Sequence, residues 1–205
     1  MSYSVPGLRA DRRVSFAPGT NLLVSGASTE SESALLDVLA DGPPGEATIV
    51  ITTNRPADRI VSWFRDRGAD PTTSFGIVDA TGQDLPLEDT IPVQRIGSPG
   101  DLTGISLEFA KLVQQFDRMG AGDRVRVGLV SISTLLMYSE VQTVFRFLHV
   151  FTSRIQSTGL LGVFALDPGM HDDQTVNTVR AIFDAEARVG EDGEVRMSGD
   201  GFFEE

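Results

Sequence analysis

The sequence predicts an α/β protein: a mainly parallel sheet with helices on both faces and a C-terminal hairpin. Three observations carry this. Short apolar, β-branched runs such as Thr48-Ile-Val-Ile-Thr52 read as strands buried on both sides. Longer stretches with apolar residues at helical spacing alternate with them through nearly the whole chain. Clusters of Gly, Pro and Asp separate the two kinds of segment. The 205 residues suit one domain with a full core. No internal repeat or linker divides them, so residues 1–205 are expected to be a single domain with 1–13 as an irregular lead-in.

The elements follow in order. A short strand is expected at Val14-Ser-Phe16, and the turn at Pro18-Gly19 opens a core strand over 21–25. A helix over 31–40 stops at Asp41-Gly-Pro-Pro-Gly45. The strand 48–52 comes next. Pro56 opens a helix that carries Ile60, Val61, Trp63 and Phe64 into the core and ends at Gly68. Phe75 to Asp79 is a strand, and 80–100 is a loop-rich stretch with a short strand at Val93-Gln-Arg95. Asp101 or Thr103 caps a helix that runs to about Arg118 and stops at Gly120. Val125 to Ile132 is a strand, 139–157 a helix ending at Gly159, and Leu160 to Leu166 a strand. Asp172 or Asp173 caps a helix over 174–185, and a last hairpin turns at Glu191-Asp-Gly193. Ligands on such sheets bind at the carboxyl ends of the strands. That edge is served by the loops 26–32, 52–56, 79–90, 131–138 and 167–173.

Charge narrows the partners. The net charge is −12, and of 17 basic residues only Lys111 is a lysine. The acidic residues are scattered among plentiful aliphatics, which is a folded surface rather than a disordered tail. Such a surface suits a salt-loving cytoplasm, where molar salt shortens the Debye length to about 3 Å and self-repulsion is tolerable. No basic stripe offers itself to phosphates, so nucleic acid is not an expected partner. With no cysteine there is no disulfide and no thiolate metal site. No apolar run approaches the length of a membrane span, and the start of the chain lacks the regions of a signal peptide, so no membrane insertion and a cytoplasmic location are expected.

The most informative stretch is Gly26-Ala-Ser-Thr-Glu-Ser-Glu-Ser33. It lies between a strand and a helix, the setting of a phosphate-binding loop, G-x-x-x-x-G-K-[ST]. Gly26 and Ser33 match that pattern, Ser31 takes the second glycine, and Glu32 takes the lysine. A lysine would neutralise phosphates; a glutamate repels them where screening is poor. The loop geometry is expected to be kept and the ATP chemistry lost. Ser31, Ser33 and the helix amides could still hold an anion; alternatively Glu30 and Glu32 complement the helix dipole themselves.

Leu135-Leu-Met-Tyr138, Val144-Phe-Arg-Phe-Leu-His149 and the run from Leu160 to Gln174 resemble signatures of short, single-domain haloarchaeal KaiC-like proteins of the RecA superfamily. The resemblance covers about residues 14–198. It implies a RecA/KaiC-like, P-loop NTPase-type sheet, with 22–24 and 127–130 as adjacent central strands. It also implies degenerate motifs. The Walker A register is Gly26 to Ser33. The Walker B segment is Val127 to Ser133, with Val130 at the magnesium-binding aspartate followed by Ser131 and Ser133. The catalytic-acid position falls at Thr53 and Asn54, where no carboxylate stands. Counter-charge, metal position and base are therefore all missing. The resemblance implies a pseudo-ATPase with no catalytic residue and no metal, acting as a regulator or scaffold through a protein partner or a homo-oligomer. No cofactor is expected. The alternative is a nucleotide sensor that binds ATP or ADP, with magnesium, without turnover.

Two further features stand out. Asp167-Pro-Gly-Met-His171-Asp172-Asp173 groups an imidazole with carboxylates, as a metal site or a hydrolase would. A turn followed by a helix cap accounts for the same residues. The helix 139–157 is apolar nearly all round: Val141, Val144, Phe145, Leu148 and Phe151 on one face, Phe147, Val150 and Ile155 on a second. It is either deep core, with His149 packed inside, or an interface of Phe147 and Val150 rimmed by Arg146 and Arg154.

Overall fold

The computed structural model describes residues 2–5, 8, 13–43, 45–69, 74–86, 91–122 and 124–204. Of the expected lead-in 1–13, residues 1, 6, 7 and 9–12 lie outside the described residues, as do 87–90 of the loop 79–90.

The chain runs β1 (Tyr3–Val5), β2 (Val14–Phe16), β3 (Asn21–Ser25), α1 (Ser28–Ala40), β4 (Ala47–Thr52), α2 (Ala57–Asp66), β5 (Phe75–Asp79) and β6 (Val93–Arg95). It continues through α3 (Leu102–Arg118), β7 (Val125–Val130), α4 (Ile132–Tyr138), α5 (Val141–Thr158), β8 (Leu161–Leu166), a 3-10 turn (Pro168–Met170) and α6 (Asp173–Arg180). It ends in β9 (Ala185–Val189), β10 (Val195–Gly199) and β11 (Phe202–Glu204). The main sheet has eight strands in the order β10-β9-β3-β8-β7-β4-β5-β6. All its neighbours are parallel except the β9–β10 hairpin, where Val189 faces Val195.

Helices cover both faces. Ile105, Phe109 and Phe116 of α3, Val144, Leu148 and Phe151 of α5, and Val179 of α6 pack on one side. Leu35, Leu36 and Leu39 of α1 and Ile60, Val61 and Phe64 of α2 pack on the other. Aromatic rings bridge the first layer: Phe109 to Phe151 at 4.8 Å and Phe164 to Phe183 at 4.9 Å between centroids. Such pairs add about 0.5–1.5 kcal/mol each beyond simple burial.

Several expectations need correction. The strands 22–24 and 127–130 are central but not adjacent. The long α5 crossover returns the chain to the sheet, and β8 lies between them, with Leu22 facing Val163 and Val127 facing Gly162. All six residues of β8 are buried, so it fits an interior slot. Glycine is required at 162, because a Cβ there would come within 2.8 Å of Asn21 Oδ1 and of the Phe164 ring. The expected loop 131–138 is instead α4, which buries Ile132 and Leu135, and α5 starts at Val141 because Ser139 and Glu140 are extended. The lead-in is not wholly irregular: β1 and β11 flank β2 in a separate antiparallel sheet, with Tyr3 and Phe202 both facing Phe16. Helix α6 stops at Arg180 rather than 185. Phe64 is core, whereas Trp63 is only partly buried, under the Arg67 guanidinium at 3.6 Å.

Helix α5 is not buried all round. Val144, Leu148, Phe151 and Ile155 are inside, but Val150 is 68% exposed and His149 is also exposed. The covering layers are one helix deep, so only one face of α5 meets the core.

Candidate functional site: the carboxyl edge around Gly26

Strand β3 delivers Gly26 to the carboxyl edge, where its N–H donates to Leu166 O at 3.2 Å. Only glycine fits, because a Cβ would sit 2.7 Å from Val189 O. Helix α1 begins at Ser28, so the connection is just Gly26 and Ala27. The expected phosphate loop is therefore not kept: with no second glycine at 31, residues 28–31 wind into the first helical turn. Ala27 gives α1 no side-chain cap. Asp167, from the end of β8 beside β3, supplies one. Its Oδ2 accepts from Ser28 N–H at 2.9 Å and from Ser28 Oγ–H at 2.7 Å. A carboxylate of the chain thus sits at the helix N-terminus, the position that favours anions.

Glu32 is 2% exposed. Its Oε1 accepts from Asn54 Nδ2 at 2.6 Å and its Oε2 from Arg55 Nε at 2.7 Å. The Arg55 side chain remains 42% exposed. Thr53, next to Asn54, joins the ends of β4 and β7. Its hydroxyl donates to Val130 O at 2.8 Å and accepts from Ser131 N–H at 2.8 Å. Val130 is fully buried among apolar residues. Ser133 Oγ accepts from Asp167 N–H at 3.0 Å. Gly26, Ser31, Glu32, Thr53, Asn54, Ser131 and Ser133 therefore all belong to this edge. Ser33 instead lines a separate cavity of 230 Å³ with Leu8, Glu30, Asp37 and Val195.

The match of residues 19–189 to a family model decides the kinship. The chain belongs to a family of unknown function (DUF7504). No curated protein matches it in sequence. Among solved structures it is similar to PH0250 from Pyrococcus horikoshii OT3, with TM-score 0.65 and 11% identity over 90% of this chain and 88% of that one. The KaiC-like protein PH0186 of the same archaeon gives TM-score 0.60 and 13% identity over 89% and 77%. The uncharacterized protein PH0321, solved with an unknown peptide, gives 0.64 and 13% over 91% and 87%. The fold is RecA/KaiC-like.

In this family member the His171 loop does not gather its acids. Asp167 serves α1, and Asp172 caps α6, accepting from Thr175 N–H and Oγ–H, both at 2.9 Å. Burial holds His171 below its ordinary pKa, against the opposite pull of Asp167 and Asp172. Among the described residues no three His, Cys, Asp or Glu side chains are grouped to hold a metal.

Near this edge, two further buried carboxylates escape a reading of the sequence. Asp79 ends β5, and its Oδ2 accepts from Ala57 N–H at 2.9 Å, capping α2. Its Oδ1 accepts from Thr81 N–H and Oγ–H at 3.0 and 2.6 Å. Pro56, which cannot cap with its side chain, was the available signal that an acid must come from elsewhere. Glu186 in β9 accepts from Ser25 Oγ–H at 2.6 Å, Arg180 Nε at 3.0 Å and Arg188 at 3.1 Å. Burial alone would raise its pKa; the Ser25 hydroxyl and the two guanidiniums outweigh that and hold it below the ordinary value.

The candidate interface lies away from this edge, on α5. Phe147 is half-buried against Phe151 at 5.4 Å, and Val150, Arg146 and Arg154 are exposed. His149 stacks on Phe145, with centroids 6.2 Å apart and planes 3° from parallel.

Proposed function

We propose that this chain is a pseudo-ATPase: it keeps a RecA/KaiC-like fold, does not hydrolyse ATP, and acts as a regulatory or scaffolding protein through contacts with another protein. The observation that carries this is the buried Glu32 carboxylate, paired to Arg55 and Asn54 at the position where a phosphate-binding loop places its lysine. The residues at this edge do not fit a nucleotide's phosphates. The turn is two residues long, Asp167 already holds the Ser28 amide, and Glu32 adds a second negative charge nearby. Bringing polyphosphate against two poorly screened carboxylates is unfavourable. Val130, buried among apolar side chains, offers no ligand to magnesium, and Thr53 is engaged with the β7 backbone. The acidic surface with its single lysine supports a haloarchaeal cytoplasm as the setting and speaks against nucleic acid. Among the described residues no helix is long and apolar enough to cross a membrane. The peptide held by PH0321 supports a protein segment as the kind of ligand such a fold accepts.

The test is an ATP–magnesium titration in molar potassium chloride, run beside a hydrolysis assay. No binding and no turnover are expected. Saturable binding without turnover would move the assignment to a nucleotide sensor. ATP turnover by the purified chain would overturn it. Glu32→Lys combined with Val130→Asp is expected to raise nucleotide affinity without conferring hydrolysis, since no base stands near Thr53.

A further inference from the structure

Helix α5 contradicts the charge of the molecule that carries it. The chain has 29 acidic residues against 17 basic ones, yet Val141–Thr158 contains no carboxylate. Its outward side bears Arg146, His149 and Arg154, all exposed. Elsewhere most described guanidiniums are paired: Arg55, Arg67, Arg124, Arg126, Arg180 and Arg188 each meet a carboxylate, whereas Arg59 and Arg118 do not. Arg146 has only a long contact to Thr143 Oγ1 at 3.5 Å, and Arg154 lies over the Phe109 ring at 5.8 Å. Neither is ion-paired with any described residue.

The spacing gives these charges a pattern. Residues 146, 150 and 154 follow one another at intervals of four, so they form a row along the helix surface. Exposed Val150 sits between the two arginines, which are about 12 Å apart along the axis. The stacked rings of Phe145 and His149 form the adjoining row. Beside Phe145, between α5 and α6, lies a cavity of 310 Å³ lined by Val141, Gln142, Phe145, Arg146 and Thr178. Arginine and aromatic side chains around an apolar centre, with acids absent, are the composition of interface cores rather than of ordinary surface.

The geometry points to a docking surface on α5 for an acidic, amphipathic segment of another protein. Carboxylates of the segment meet Arg146 and Arg154, an apolar side chain covers Val150, and a larger one enters the cavity beside Phe145. This rests on the reading of the protein as a binder of protein partners, and names the surface and the chemistry of the partner. A symmetric contact between two copies of α5 is the wrong occupant, because it would bring arginine against arginine.

The experiment titrates the full chain into labelled helical peptides of one design: a leucine face flanked by glutamate, with versions carrying glutamine or lysine instead. Anisotropy is read from low to molar potassium chloride, with circular dichroism confirming the fold. The glutamate peptide is expected to bind saturably, the glutamine version about tenfold more weakly, and the lysine version not at all. Arg146→Glu with Arg154→Glu is expected to reverse that order, and Val150→Asp to weaken binding about tenfold. Equal binding of all three peptides, no saturable binding, or an unchanged preference in the charge-reversed protein overturns the proposal. So does sedimentation showing a self-complex that Val150→Asp dissolves. The outcome is independent of the hydrolysis assay. ATP turnover would sink the pseudo-ATPase reading and leave the peptide series intact, and a flat peptide series would do the reverse.

Discussion

Both edges of the main sheet carry a glutamate bound to an arginine, and they differ in how far water reaches. At the amino edge Arg126 is 0% exposed; its Nε donates to Glu46 at 2.6 Å. Its remaining N–H groups donate to Val38 O at 2.7 Å and Ser4 O at 2.9 Å, so one guanidinium joins β7, α1 and β1. Arg124 also holds Glu46, and Tyr3 lies beneath both arginines. At the carboxyl edge Glu32 is just as buried, but its partner Arg55 faces solvent. Losing Glu46 from the first cluster would leave the fully buried Arg126 guanidinium without a carboxylate. Losing Glu32 from the second would not, because the released Arg55 guanidinium is hydrated. The same chemistry therefore serves as a fixed, buried tie at one edge and as a solvent-facing pair at the other.

The largest effect should follow from Arg126→Met. It leaves the buried Glu46 with only the partly exposed Arg124 as counter-charge and removes the ties to Val38 and Ser4, and should cost about 3–5 kcal/mol in urea denaturation. Adding Glu46→Leu should recover most of that, and a small loss in the single variant would erase the contrast between the edges. Asp167→Asn removes the anionic cap of α1 and should cost about 1 kcal/mol. Glu32→Gln keeps the bond to Asn54 and frees Arg55 to water, so its cost should be about 1 kcal/mol or less. A loss as large as that of Arg126→Met would show that the carboxyl edge is equally rigid.

The smallest effects are those of pH, and they have opposite signs. Glu186 is held below its ordinary value of 4.5 in the folded chain. Its contribution is complete above that value and is lost as pH falls through the lower folded one. Glu186→Gln should flatten the acid limb of the stability profile. Burial raises the Tyr3 phenol above 10.0, against the pull of Arg124 and Arg126. That contribution is complete below 10.0 and fades as pH rises through the folded value, so Tyr3→Phe should flatten the alkaline limb. Thermal melts across pH at constant molar salt would read both.

What the sequence discloses follows the range of the interactions. The strands 75–79 and 93–95 are legible because a few consecutive residues decide them, and each helix cap is narrowed to two candidates, of which Asp101 and Asp172 are the ones used. The oddity of Glu32 is legible for the same reason. Its resolution is not: Arg55 lies 23 residues away, and the acid at Ser28 comes from 139 residues away. The strands β1 and β11 are three residues each, too short for any period, and exist only through pairing with β2. Helix α4 was hidden because its seven residues offer few apolar repeats and no capping side chain.

The place of β3 in the sheet has a kinetic consequence. Among the described residues its two strand neighbours are β8 and β9, which begin at residues 161 and 185. All five of its residues are buried in the finished sheet. During synthesis β3 emerges early and stays unpaired until those late strands leave the ribosome. By contrast, β4 meets β5 after a single short helix. The half formed by β4, β5 and β6 can assemble while the chain is still growing, whereas β3 can join the sheet only once β8 is made, against a high loop-closure cost, with β9 and β10 added onto it afterwards. Chains interrupted before residue 161 would expose β3 as a bare apolar edge, and should be the species that aggregates or is held by chaperones.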